Sequence, residues 1–352
     1  MSMKLGWRAG FGFLVTVLLL WWVVGGVDFG AVVREVRGAD YGLLALAVAM
    51  NTAGFLLRTI RWRVLLEPLR RGTGFRARFA AVNIGFMANN LLPLRVGEFA
   101  RAYALSRLEP VSAGGAFGSL AVERFLDTLT VLTLMLVAVA APDFPEGARV
   151  GGRTVGAVAG WMVGLVVVIL GCLLLLLIWP KRLVRFVERV LARLLPGEGG
   201  RRAVDTLEAF LDGLTSLRSP SLLLLALFWS FTFWGWNCFA FWVGFQAFGI
   251  GASYFAALFM NAMVAFAVAV PSSPGFFGTF HAGVKVALLG VYGVGAGETL
   301  AFAFGYHLGG FVPVTLIGLY YTWRLGLSFR EIERSDVQVE RDVERAHPEL
   351  SP

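Results

Sequence analysis

The chain has 352 residues, of which 57% are hydrophobic, and its mean hydropathy is +0.72. These values exclude a water-soluble globular protein and indicate an integral membrane protein, because charge is concentrated between long apolar runs. The net charge of +8 comes mainly from arginines in loops beside those runs, which the positive-inside rule explains better than nucleic-acid binding does. Cys172 and Cys238 both lie within apolar runs, so neither a disulfide framework nor a cysteine metal site is expected.

Six apolar runs approach the ~20 residues that a helix needs to cross a bilayer. They are residues 11–27, 41–57, 120–141, 155–179, 222–248 and 300–321. The first run has no convincing small-residue cleavage site, so we expect a retained helix rather than a signal peptide.

Two basic loops set the predicted orientation. Residues 58–78 and 181–218 carry the strongest arginine clusters, and the positive-inside rule places both in the cytoplasm. The stretch 180–219 has one apolar face and one arginine face, which predicts an amphipathic linker on the cytoplasmic membrane surface. Residues 331–352 predict a charged, solvated tail. Both termini are therefore expected in the cytoplasm.

Two further apolar runs are broken by proline and glycine. The first break contains Asn89, Asn90, Pro93 and Gly97, and the second contains Pro271, Ser272, Ser273, Pro274 and Gly275. Lipid cannot hydrogen-bond the backbone groups that such breaks release, so protein or a water-filled cavity must surround them. One break in each half indicates the substrate site of a transporter.

Because both basic loops are predicted in the cytoplasm, each broken region must end on the same side of the membrane on which it begins. Region 79–118 then dips from the cytoplasm, whereas the second break dips from outside, after a turn at 249–253. The predicted fold is all-α, a polytopic integral membrane protein with two re-entrant or broken-helix hairpins in an inverted-repeat arrangement. Its transmembrane domain covers 1–330, with halves at about 41–141 and 222–321.

Glu123, Arg124 and Asp127 lie close together in a strongly apolar helix. Glu123 and Asp127 share one face, and Arg124 can pair with Asp127 one turn on. Charges at membrane depth are costly, so we expect all three to face the protein interior and to mark a pathway. The alternative is a self-neutralised structural cluster.

Charged side chains also follow both breaks. Glu98 and Arg101 are one turn apart and could pair, which would leave Arg95 to meet an anion. His281 and Lys285 share a helix face, which indicates an anionic substrate group or proton coupling through His281. The alternatives are interfacial anchoring for the arginines, a structurally hydrogen-bonded histidine and a snorkelling lysine.

The sequence has no metal-ligand spacing, nucleophile elbow, P-loop or dinucleotide fingerprint. We therefore predict no cofactor, no metal and no catalytic residue.

Three motifs carry a resemblance to a known family. The stretch Asn-x-x-x-Pro-x-Arg-x-Gly-Glu at 89–98, the charged pattern at 123–127 and Pro-Ser-Ser-Pro-Gly-x-x-Gly at 271–278 resemble the lysylphosphatidylglycerol synthase transmembrane-domain family, also called flippase-like or UPF0104. The resemblance extends over about 6–330. It implies a multi-helix domain with re-entrant hairpins that translocates lipids, such as aminoacylated phosphatidylglycerol in two-domain members. Many members carry Glu where this chain has His281.

The resemblance implies a stand-alone flippase-like protein that moves a lipid with an anionic headgroup, of phospholipid or polyprenyl-phosphate type, across the inner membrane. We expect the headgroup to be bound or balanced by Arg95, Glu98, Arg101, Glu123, Arg124, Asp127, His281 and Lys285. The alternatives are a membrane-embedded enzyme or accessory subunit of polyprenyl-linked glycan or lipid biosynthesis, and a scaffold. The expected partner is membrane lipid, and no nucleic acid is expected. A homodimer is compatible with this assignment, and so are contacts with enzymes of lipid or glycan synthesis.

Overall fold

The computed structural model describes residues 2–150, 152–154, 219–270 and 272–339, with isolated positions between 160 and 171. Four expectations lie outside these residues. They are nearly all of the span at 155–179, the linker at 180–219 apart from its last residue, Pro271, and the tail beyond residue 339.

The described part of the chain is helical, with one pair of two-residue strands. The helices are α1 (Ser2–Val24), α2 (Phe29–Gly38), α3 (Tyr41–Leu66), α4 (Phe75–Leu91), α5 (Gly97–Leu108), α6 (Ala113–Val139), α7 (Pro220–Ala247), α8 (Tyr254–Ala269), α9 (Thr279–Lys285), α10 (Ala296–Arg324) and α11 (Phe329–Glu333). The strands β1 (Arg149–Val150) and β2 (Arg153–Thr154) pair in antiparallel orientation. The predicted all-α fold of a polytopic membrane protein is confirmed.

Short polar side chains fix where several helices begin. Asp28 accepts a hydrogen bond from the backbone of Gly30 at the start of α2, and Asp40 accepts two at the start of α3. Ser112 and Ser253 cap α6 and α8 in the same way. Each cap satisfies a backbone N–H that has no partner inside its helix.

Three helices in the described residues are long and apolar enough to cross a membrane, namely α3, α7 and α10. The apolar part of α1 passes the same test together with α2, although the two are bent by 84°. The large exposed side chains on these elements, such as Phe13, Trp21, Leu224 and Leu316, give the protein an apolar outer surface. The protein is therefore a multi-pass membrane protein.

Helix α3 corrects one expectation. The sequence analysis ended this span at residue 57 and placed residues 58–78 in a cytoplasmic loop, but the helix continues to Leu66. Arg58 and Arg61 lie on its buried face, with 5% and 0% of their surface exposed. These two arginines belong to the protein interior because α4, α6 and α7 pack against α3.

Each broken region forms a helical hairpin. Helix α4 ends at Leu91, a 3₁₀ turn spans Pro93–Arg95, and α5 returns along α4. Helix α8 ends at Ala269, a 3₁₀ turn spans Pro274–Phe276, and α9 returns along α8 and continues as a π-helix over Val286–Val291. The broken-helix hairpins are confirmed in both halves.

Corresponding helices of the two halves make corresponding contacts. Helix α3 packs on α7, α4 packs on α10, and α6 packs on α8. When α3 is matched with α7, α4 with α8 and α6 with α10, exchanging the two halves maps the α3–α7 contact onto itself. The same exchange maps the α4–α10 contact onto the α6–α8 contact. The domain division and the membrane side from which each hairpin enters stay predictions.

Candidate functional site

Six charged side chains form one network between α3, α5 and α6. They are Arg58 and Arg61 of α3, Arg101 of α5, and Glu123, Arg124 and Asp127 of α6. Four of the residues predicted as a substrate site are therefore brought together, and two arginines join them.

Glu123 is the centre of this network. Its Oε1 accepts hydrogen bonds from Nη1 of Arg58 and Nη1 of Arg101, both at 2.9 Å, and from Nη2 of Arg124 at 2.8 Å. Its Oε2 accepts a second bond from Arg101, also at 2.9 Å, so this pair is bidentate. Nη2 of Arg61 lies 3.1 Å from Oε1. One carboxylate thus holds guanidinium groups from three helices.

Asp127 connects the network to α7. Its Oδ1 accepts hydrogen bonds from Nη1 of Arg61, at 2.5 Å, and from Nε1 of Trp234, at 2.8 Å. Arg61 also donates to the hydroxyl of Ser230 at 3.3 Å. The first helix of the second half is therefore tied to the charged core of the first half.

Burial distinguishes Arg124 from the rest of the network. Glu123 and Asp127 are buried, whereas 43% of the Arg124 side chain is exposed. The expectation that all three face the interior is wrong for Arg124. Residues 123 and 127 are one helical turn apart and share the inner face of α6, while residue 124 is rotated by about 100° from residue 123 and about 60° from residue 127.

The arginines outnumber the carboxylates. Four guanidinium groups face two carboxylates, which leaves the network with two positive charges. Arg58, Arg61 and Arg101 are buried, where charge that is not compensated is strongly destabilising. The network is therefore suited to binding an anion.

Sequence reasoning missed Arg58 and Arg61 because basic residues after an apolar run were assigned to a loop. The signal that could have found them is the apolar residues that follow, Trp62 and the run from Val64 to Leu66, all of which are buried. These residues continue the helix beyond the predicted span and carry both arginines with it.

Glu98 and Arg101 do not form the predicted pair, because Arg101 binds Glu123 instead. Glu98 is half-buried and interacts electrostatically with Arg95 and Arg124. Its carboxylate therefore lies between the first break and the network.

Arg95 connects the two breaks. Its Nη2 donates to the carbonyl of Val270 at 2.9 Å and its Nη1 to the carbonyl of Ala269 at 3.3 Å. Its guanidinium carbon lies 5.2 Å from the centre of the Phe276 ring. These bonds occupy two of its three nitrogens, its buried Nε has no partner among the described residues, and the binding of an anion by Arg95 stays a prediction.

The other break residues supply partners for the chain around them. Asn89 accepts a hydrogen bond from the backbone of Gly97 at 2.9 Å, and Asn90 donates to the hydroxyl of Thr315 at 2.8 Å. At the second break, the backbone of Ser273 donates to Thr16 on α1 at 2.9 Å. Two further side-chain hydroxyls, those of Ser272 and Thr279, lie 3.4 Å apart. Pro93 and Pro274 begin the two 3₁₀ turns, and Gly275 has a φ of +73°.

His281 and Lys285 lie apart from the charged network. The His281 ring is fully buried, and its centre is 5.0 Å from that of His307 on α10. Lys285 donates to the carbonyls of Trp22 and Val23 at 2.8 Å and 3.0 Å. Lys285 therefore caps the C-terminal end of α1, where helix carbonyls lack partners and attract cations.

A cavity of ≈ 220 Å³ lies between the two halves. Phenylalanine is the most frequent residue in its wall, with rings from α3, α4, α7, α9 and α10, and Phe276 brings the second break to it. Its polar lining residues are Asn51, Arg58, Asn90, Asn237, Tyr306 and His307. Within the described ranges, no three His, Cys, Asp or Glu side chains come together as metal ligands do.

Arg58 joins this cavity to the charged network. Its guanidinium carbon lies 4.9 Å from the centre of the Phe86 ring and 4.4 Å from that of the Phe233 ring. The two rings fix the plane of the guanidinium through cation–π contacts while Nη1 binds Glu123. The cavity thus presents apolar walls and one oriented cation.

The family model described as "Lysylphosphatidylglycerol synthase TM region" matches residues 11–318. The chain belongs to this family. A UPF0104 membrane protein of Methanothermobacter thermautotrophicus is 24% identical over 299 residues, which are 80% of this chain and 81% of that protein.

Two relatives match over shorter stretches. Glycosyltransferase AglD of Haloferax volcanii is 35% identical over 135 residues, which are 37% of this chain and 21% of AglD. UPF0104 membrane protein MJ1595 of Methanocaldococcus jannaschii is 26% identical over 128 residues, which are 36% of this chain and 38% of that protein. The chain therefore spans about a fifth of the first protein and less than half of the second.

Proposed function

We propose that this family member translocates a lipid with an anionic headgroup, of phospholipid or polyprenyl-phosphate type, between the leaflets of the inner membrane, with both termini in the cytoplasm. The observation that carries the proposal is the cavity between the halves, where apolar walls surround the oriented guanidinium of Arg58. An amphipathic substrate needs both features. Family membership supports a role in lipid- or glycan-linked processes.

The position of the cavity favours transport over storage of a lipid. Its wall includes Asn90 beside the first break and Phe276 in the second, so both broken regions border one space. Transporters built from inverted repeats place their substrate site at such a junction and move one repeat against the other. In this protein the anion stays at Arg58 while movement of the halves changes the side from which the cavity is reached.

The second candidate is an enzyme or accessory subunit of polyprenyl-linked glycan or lipid biosynthesis, and the similarity to glycosyltransferase AglD favours it. Its candidate catalytic groups are Glu98, Glu123 and Asp127. The carboxylates of Glu123 and Asp127 are occupied by arginines, Glu123 is fully buried, and Glu98 is not among the residues that line the cavity. A general acid or base must reach the proton that it transfers, so this geometry favours transport.

Translocation can be measured with fluorescent lipids in proteoliposomes, where an impermeant quencher reports exchange between leaflets. The wild-type protein should exchange an anionic lipid at least about tenfold faster than protein-free vesicles do. Val314→Trp places a large ring in the cavity and should slow this exchange, whereas Leu316→Trp on the outer face of α10 should not. Equal rates for these two variants, or a wild-type rate equal to that of empty vesicles, would contradict the proposal.

A further inference from the structure

We propose that the cavity binds the phosphate monoester group of a lipid through Arg58 and Tyr306. The proposal rests on the proposed function only for the choice of a lipid as the molecule that carries the phosphate. Charge, geometry, an unpaired hydroxyl and cavity size each support it.

Charge selects the monoester. The network behind Arg58 has two more guanidinium groups than carboxylates. Glu98 interacts electrostatically with Arg95 and with Arg124, and counting Glu98 together with Arg95 adds one charge of each sign and leaves the excess at two. A phosphate monoester carries a charge of about −1.5 to −2 at neutral pH and therefore neutralises the excess, whereas a diester carries a single negative charge.

Arg58 is the member of the network that lines the cavity. Among the described contacts, its Nη1 has a hydrogen-bond partner, Glu123, and its other N–H groups have none. The guanidinium also makes cation–π contacts with the rings of Phe86 and Phe233. A guanidinium in a fixed plane can bind two phosphate oxygens at once, which a lysine cannot do.

Tyr306 supplies an independent observation. It lines the same cavity, 3% of its surface is exposed, and its hydroxyl has no hydrogen-bond partner among the described residues. A buried hydroxyl without a partner is destabilising, and because the Tyr306 side chain lines the cavity, a ligand atom that accepts its hydrogen bond would remove that cost. A phosphate oxygen is a strong acceptor of this kind.

The cavity volume limits the rest of the ligand. At ≈ 220 Å³ it is smaller than the ≈ 300–1,000 Å³ of sites that enclose a whole drug-sized molecule. It holds a phosphate and the first atoms of the attached chain, and the phenylalanine walls suit an apolar chain.

The test measures binding to purified protein in phosphatidylcholine nanodiscs by native mass spectrometry. The probes are phosphatidic acid, which is a phosphate monoester, phosphatidylglycerol, which is a diester, and inorganic phosphate as a competitor. We expect phosphatidic acid to bind at least about tenfold more tightly than phosphatidylglycerol, and millimolar phosphate to leave it bound. Equal affinity for the two lipids overturns the monoester assignment, and displacement by phosphate overturns the lipid assignment.

Tyr306→Phe removes the hydroxyl and keeps the ring. It should weaken binding of phosphatidic acid roughly tenfold or more and leave the melting temperature unchanged or higher, because it removes an unpaired buried group. Tyr292→Phe is the matched control, since its hydroxyl is also buried and unpaired but lies outside the cavity. Equal affinities for the two variants overturn the role of Tyr306.

Arg58→Lys keeps the charge and loses the planar group. It should fold and bind phosphatidic acid more weakly than the wild type, and unchanged affinity overturns the role of Arg58. Binding is read without transport, so the two proposals fail separately. Wild-type protein that binds phosphatidic acid but moves no lipid contradicts the proposed function alone.

Discussion

The guanidinium of Arg95 donates to the carbonyl of Val270 at 2.9 Å and thereby ties the break of one half to the end of α8 in the other. The last carbonyls of a helix lack hydrogen-bond partners within it and attract positive charge. Arg95 therefore supplies hydrogen bonds to carbonyls that the second break leaves without partners in α8. Arg95 and Phe276 have φ values of +54° and +60°, and they are the two non-glycine residues with positive φ in the described part of the chain. Backbone strain is therefore concentrated where the two breaks meet.

Removing this tie should destabilise the protein. Arg95→Ala loses both hydrogen bonds to α8 and should lower the free energy of unfolding by about 1–3 kcal/mol. Arg95→Gly loses the same bonds but relieves the positive φ, so it should cost about 1 kcal/mol less. Thermal unfolding in detergent measures both variants, and Arg37→Ala on the exposed face of α2 is the control. Equal melting temperatures for Arg95→Ala and Arg37→Ala would show that the tie contributes nothing.

The buried carboxylate of Glu123 should be the least replaceable member of the charged network. Glu123→Gln leaves its guanidinium partners without their shared counter-charge and should cost about 3–5 kcal/mol. Glu98→Gln, on a half-buried side chain, should cost less than about 1 kcal/mol. Thermal unfolding of the two variants at equal salt concentration measures the difference. A Glu123 variant as stable as the Glu98 variant contradicts the central role.

Close backbone packing should make Gly97 intolerant of a side chain. A Cβ at this position would overlap the carbonyl oxygen of Gly85 and the side chain of Asn89. We expect Gly97→Ala to separate α4 from α5 and to lower stability by about 1–3 kcal/mol. Gly235→Ala on α7 is the control, because the nearest atom to its Cβ would be the Tyr254 hydroxyl at 3.6 Å. The yield of monodisperse protein and the melting temperature report the result, and a well-behaved Gly97→Ala would refute the packing argument.

The inverted arrangement predicts that the open ends of the two hairpins lie on opposite sides of the membrane. Arg71→Cys, between α3 and α4, should react with an impermeant maleimide from the cytoplasmic side alone. Gly251→Cys, between α7 and α8, should react from the external side alone. Both are introduced after Cys172 and Cys238 are replaced by serine. Labelling of both positions from one side would exclude the inverted arrangement.

The hairpins were predictable from the sequence because their cause is local. Proline lacks a backbone donor and glycine permits conformations that end a helix. The residues around Pro93 and Pro274 therefore interrupt their helices whatever the rest of the chain contacts. The same holds for the apolar runs of α3, α7 and α10, whose length and composition identify them as spans. The all-α membrane fold follows from these local rules.

The partners of the charged residues were decided by the tertiary structure. Glu123 binds Arg58, which is 65 residues away, and Arg95 binds the carbonyl of Val270, which is 175 residues away. Neither partner can be identified from a local sequence pattern, because every arginine in the chain has the same charge. The packing of the helices determines which arginine lies beside a given carboxylate or carbonyl. The sequence therefore determined which charged side chains cost free energy when they are buried. The contacts among α3, α5, α6 and α8 decided which hydrogen bonds and ion pairs offset that free energy.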